Sequence, residues 1–306
     1  MMSSPITAAR AEGECVTDNR GIALHDNGKP CVPRVGTTPQ QAELIEAKEN
    51  FARVYASYSP GDASTQDVNS AKARLEALTG DSLPFPSPNR IAEPPEGSAL
   101  AGLSNYWPFQ QKDGDYCGPA TAQSMLWYLG NINSQYAPGG ESLTGNIFDD
   151  QWALGRSYYL DTNNDLQTAW HDGTFVFRKT LNRWRIGSDT GFYIQSSVSG
   201  VPGEGTTLTE SGALNNIKSD IDMGYPVAQN VIYNSETYWP PDFPQSGTFK
   251  HWDNVYGHFV SGSQYVQIAQ VYPAYPSSRP NMFYNRLWSG NGGAWDAINN
   301  WYGIAW

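Results

Sequence analysis

Five prolines fall between Ser82 and Gly97, in SLPFPSPNRIAEPPEG, and no other stretch restricts the chain so much. Proline lacks a backbone N–H and biases the preceding residue away from helix. Such a run is therefore neither a helix nor a central strand. It reads as a linker that separates an N-terminal third from the rest of the chain. Residues 1–36 are polar and rich in turn formers, which suits an arm or loop. Residues 38–58 predict a helix. Thr38 before Pro39 fits an N-cap and first helical position, and Leu44, Ile45, Phe51, Val54 and Tyr55 fall near one face. Residues 65–79 predict a second helix with Ala71, Leu75 and Leu78 as its apolar stripe. Residues 1–98 are thus expected to form an extension of arm, helices and linker, either a pro-segment or ordinary helical decoration of residues 99–306.

Residues 99–306 have a different character, dominated by Trp, Tyr, Gly and Asn. Over the whole chain aromatics are 13% and charged residues only 16%, which excludes a disordered chain or a coiled coil. Helices are expected at Cys117–Leu129, within residues 151–170, at Phe175–Leu181 and at residues 213–222. Strands are expected at Phe192–Val198, Pro226–Tyr233, Tyr256–Val266 and Val266–Tyr272. Helices first and antiparallel strands later predict an α+β fold. Asp161, Asn163 and Asp165 imitate the start of a calcium loop. Leu166 stands where that loop needs glycine, so a solvated turn is expected there.

A net charge of -11 argues against nucleic acid and anionic membrane as partners. No apolar run is long enough to span a membrane, and Met1-Met2-Ser3-Ser4 opens without the apolar core of a signal peptide. No cofactor is expected, and the chain reads as a monomer. Of three cysteines, Cys15 and Cys31 are close enough to close a short disulfide loop, which would suit a secreted, extracytoplasmic protein.

The third cysteine stands apart. Cys117 opens a predicted helix in Gln110-Gln111-Lys112-Asp113-Gly114-Asp115-Tyr116-Cys117-Gly118-Pro119-Ala120. A helix N-terminus favours thiolate over thiol, and Pro119 fits the first turn. Gln111 is placed to donate its side-chain amide to an oxyanion, with the Cys117 N–H as second donor. A thiol nucleophile needs a base. Of His25, His171, His251 and His258, the first two fall in polar segments and His251 in an expected loop. His258 follows Gly257 near the start of an expected strand, which fixes a base better than a loop does.

Gln111-x5-Cys117-Gly118-Pro119-Ala120, followed much later by Gly257-His258-Phe259-Val260, resembles the C39-like branch of the papain-like cysteine peptidases. Gly173-Thr174 to Leu181-Asn182 and Met223-Gly224-Tyr225-Pro226-Val227 are similar to the middle region of that family. The resemblance spans about residues 105–275. It implies a papain-like fold, a helical half packed on an antiparallel sheet with the active site in the cleft between them. It also implies Cys117 as nucleophile, His258 as general base and acid, and Gln111 as oxyanion-hole donor, with Gln110 as fallback. Peptide or protein is the implied substrate. The family usually places Asp on the strand after the histidine. Here that strand carries Gln270, whose side-chain carbonyl could orient the imidazole; Asn281 and Asn285 are the other candidates. The expected activity is peptide hydrolysis through an acyl-enzyme. The alternatives are transfer of the acyl group to an amine and a non-catalytic binding module on the same fold.

Overall fold

The computed structural model describes residues 16–17, 23–24, 38–58, 61–83, 102–134, 140–171, 174–235, 237, 239–240, 246–272 and 283–306. Cys15, Cys31, His25, Asn281 and nearly all of the proline-rich stretch lie outside these residues. So the predicted disulfide and linker fall outside as well.

The chain is α+β, as its element order predicts. A short antiparallel pair, β1 (Val16–Thr17) and β2 (Ala23–Leu24), comes first. Two helices follow, α1 (Pro39–Tyr58) and α2 (Thr65–Thr79). Then come α3 (Cys117–Tyr128), α4 (Ile147–Leu154), a single turn α5 (Thr162–Asp165), α6 (Val176–Ile186) and β3 (Gln195–Ser197). The remainder is α7 (Glu210–Asp222), β4 (Val227–Tyr233), β5 (Phe249–Ser261), β6 (Ser263–Ala269), β7 (Phe283–Leu287), α8 (Ala294–Asn299) and β8 (Gly303–Ala305). Six strands form one antiparallel sheet in the order β3-β8-β4-β5-β6-β7.

Both faces of the sheet are covered, so β4 is buried along nearly its whole length, its polar Gln229 and Asn230 included. Ala228, Ile232 and Trp252 pack with Ala122, Met125 and Leu126 of α3 and Phe177, Leu181 and Trp184 of α6. Val227, Val231 and Val255, of opposite parity, pack with Ala213 and Ile217 of α7 and Ala294 and Ile298 of α8.

The two N-terminal helices share this core. Leu44 and Phe51 of α1 and Val68 and Leu75 of α2 join the α3 side, while Ile45 and Ala52 join the α7 side. Lys48 of α1 is fully buried, with Nζ 3.1 Å from Asp220 Oδ2 and 2.8 Å from the Phe192 carbonyl. Its ammonium also lies 3.8 Å from the centre of the Phe192 ring. Burial pulls its pKa down to about 8, although Asp220 opposes the shift. α2 begins on a capping box between Ser64 and Asp67 and ends at Gly80, whose φ of 74° needs no Cβ to be tolerated.

Two elements differ from expectation in a way that moves the chemistry. The long strand begins at Phe249, not near Tyr256, so His251 lies on a strand and His258 far along it. The pairing that sets this start is with a distant segment, Tyr233 opposite Phe249 and Val231 opposite His251. The strand also turns at Gly262, with φ 65°, so β6 starts three residues before Val266. Among the described residues no helix is long and apolar enough to cross a membrane.

Candidate active site at the tip of α3

The segment before Cys117 is held from two sides. The Gln111 N–H donates to the Val271 carbonyl at 2.6 Å, tying it to the chain just past β6. Gln151 of α4 holds the other side, its Nε2 donating to the Gln110 carbonyl at 2.8 Å and its Oε1 accepting from the Lys112 N–H at 2.8 Å. Gln123 of α3 and Asp150 brace that glutamine in turn. Tyr116, next to the cysteine, donates its hydroxyl to Asn163 in α5 at 2.5 Å. The Asp161–Asp165 segment is thus a helical turn that supports the site.

Cys117 is the first residue of α3 and is half-buried. Gly118 is dictated by crowding, because a Cβ there would come within 2.0 Å of Thr168 Oγ1. The backbone amides of Trp252 and Gly118 beside the Cys117 sulfur favour thiolate, yet burial outweighs them and pushes the thiol up to about 11. The nearby Asp253 carboxylate adds to the rise. The sequence-based expectation of a thiolate at the helix tip therefore reverses, because the sulfur sits in protein rather than water.

The Trp252 N–H belongs to the peptide bond that joins His251 to Trp252. His251 therefore starts one residue from the sulfur. Its Nε2 is 3.0 Å from Gln270 Oε1. Burial lowers its pKa to about 4, with the Gln270 bond opposing. Gln270 Nε2 in turn lies 2.7 Å from Asp253 Oδ2 and 3.1 Å from the hydroxyls of Tyr233 and Tyr284. The Tyr233 hydroxyl also donates to Asp253 Oδ2. All of Gln270, Asp253 and His251 are buried.

The structure places His258 elsewhere. Six steps along β5 separate it from Trp252, roughly 15–20 Å of strand with a bulge between Val255 and Gly257. α3 runs along that stretch. The ring of Tyr128, at its last turn, lies 5.3 Å from Tyr106, which stacks on Tyr256 at 5.7 Å. His258 is beyond that end of the helix. Its Nε2 is 3.0 Å from Asp222 Oδ1 at the end of α7, and Tyr55 of α1 donates to Asp222 Oδ2 at 2.7 Å.

Cys117, Gln111 and Gln270 are thus gathered at one place, where His251 rather than His258 stands. Gln111 is buried, one amide hydrogen going to the Asp113 carbonyl at 2.6 Å. Asn285 pairs with Gln267 between β6 and β7. His171 packs edge-on against Phe175 at 4.7 Å. Sequence reasoning missed His251, Asp253 and Gln151. The alternation of His251 and Asp253 was the available signal, but it appears only once β5 is started early enough. No protein-family model matches this chain, and no curated protein matches it either.

Proposed function

We propose that the chain is a cysteine-dependent hydrolase of peptide bonds, with Cys117 as nucleophile and His251 as general base and acid. Gln270 orients His251, and Gln111 with the Cys117 N–H receives the oxyanion. The role expected of His258 passes to His251. One piece of geometry carries the reading: the backbone amide of Trp252, the residue after His251, is beside the Cys117 sulfur, while the His251 ring meets Gln270 through Nε2.

With the thiol raised to about 11 and His251 lowered to about 4, both are neutral at pH 7. The proton therefore moves during attack, not before it. As Cys117 Sγ bonds to the carbonyl carbon, its proton passes to His251 and the carbonyl electrons move onto oxygen. There the first helical N–H, which has no acceptor within the helix, and the Gln111 amide meet the charge. Collapse breaks the C–N bond, and His251 gives its proton to the departing amine. A water then loses a proton to His251, attacks the thioester and releases the acid, and the proton returns to Cys117.

The raised thiol also favours a second reading, in which the same cleft binds a ligand without turning it over. Incubation with a mixed peptide library, read by mass spectrometry, separates the two. Cleavage by the wild type that disappears in Cys117→Ala supports the hydrolase. Cleavage that persists in Cys117→Ala defeats it, and binding without cleavage selects the second reading.

A further inference from the structure

Gln270 is the residue whose chemistry leaves least freedom. An ionised carboxylate has no hydrogen to give, so the end of the amide that faces Asp253 Oδ2 at 2.7 Å must be the NH2. The Tyr233 hydroxyl spends its hydrogen on the same carboxylate oxygen, so its own oxygen can only accept, and it too faces the NH2 at 3.1 Å. The carbonyl end of Gln270 is thereby turned toward His251 Nε2 at 3.0 Å, and it can bond only a ring nitrogen that carries hydrogen. Neutral imidazole has one N–H, so Nδ1 is left as the basic nitrogen.

We infer that Asp253 is a positioning residue for the Cys117–His251 pair, acting through Gln270 to hold His251 in the tautomer with its proton on Nε2. The inference rests on the hydrolase reading for its purpose, though not for its geometry. It supplies the acid that the strand after the histidine lacks: the carboxylate sits on β5 itself, two residues from His251, and reaches the ring through an amide. A protonated Asp253 still serves, because a proton on Oδ1 leaves Oδ2 as the acceptor for Gln270. The arrangement thus tolerates the upward push of burial, which brings this carboxyl to about 7.

The test is nitrogen-15 NMR of His251 in the intact wild-type protein near pH 7, with rates of Cys117 alkylation by iodoacetamide in variants. The expected spectrum has a protonated Nε2 and an unprotonated Nδ1; a proton on Nδ1 overturns the inference with no variant needed. Asp253→Asn, nearly isosteric, is expected to mix the tautomers and slow alkylation about 10-fold, the scale on which outer partners of a reactive group act. Adding Gln270→Glu to that variant puts a carboxylate directly on His251 and is expected to restore most of the rate. A wild-type rate and tautomer in Asp253→Asn, or no recovery in the double variant, overturns the inference. The hydrolase reading fails separately: if His251→Ala leaves the alkylation rate unchanged, His251 is not the base, whatever its tautomer.

Discussion

His251 and His258 stand on one strand, are equally buried, and each meets an oxygen 3.0 Å from Nε2. They differ in what surrounds that bond. His258 has the carboxylate of Asp222, held by Tyr55 from α1 and placed at the end of α7. His251 has only the neutral amide of Gln270, but the Cys117 sulfur lies beside the peptide that follows it. The carboxylate partner thus belongs to the histidine with no nucleophile. A His–Asp pair in a buried place can be a brace, here one that ties α1 and α7 to the sheet. What marks the candidate base is proximity to the thiol, and an acid can reach it through a second residue.

The largest effect should separate the two histidines by activity. His251→Ala is expected to lower peptide turnover by about 10²–10⁴-fold, the usual contribution of general acid–base catalysis. His258→Ala should leave the rate per folded molecule within about 3-fold, since it touches no reacting atom. Equal losses in initial-rate assays would break the comparison. Stability should move the other way. His258→Ala leaves the Asp222 carboxylate buried with only Tyr55, and is expected to cost about 3–5 kcal/mol in urea unfolding.

Acid sharpens the contrast. His251 has a folded pKa of about 4 against an ordinary 6.5. The unfolded chain therefore takes up the proton first as pH falls. Stability from keeping His251 neutral is complete above pH 6.5 and is lost down to about pH 4, by up to about 3 kcal/mol. His251→Gln should remove that part of the acid sensitivity. Asp253, raised to about 7, acts with the opposite sign, but in both proteins, so the difference between them isolates His251. Urea midpoints at pH 7 and 4.5 measure it. The smallest effect is on the brace: Tyr55→Phe removes one hydrogen bond to Asp222 and is expected to cost about 1–3 kcal/mol with no change in alkylation of Cys117.

The N-terminal helices belong to the brace side of this comparison. Residues 39–58 and 65–79 were legible as helices because cap, proline and apolar spacing lie within a few residues of one another. Their dependence on the rest was not legible. Lys48 looks like a solvent-facing residue until Asp220, 172 positions away, is packed against it. Gln111 and Cys117 could be read as a pair because they share one turn and helix start. The partner of Gln270 could not, because it depends on where β5 begins, and that start is set by pairing with β4.

The amino-acid sequence by itself determined the α+β order, the helix that begins at Cys117 and the glutamine ahead of it, since each rests on neighbours a few bonds apart. Only the tertiary structure decided which histidine has its backbone beside the sulfur, which acid stands behind the glutamine, and how strongly burial raises the thiol. Those depend on strand register and on burial, which arise when segments far apart along the chain exclude water from one another.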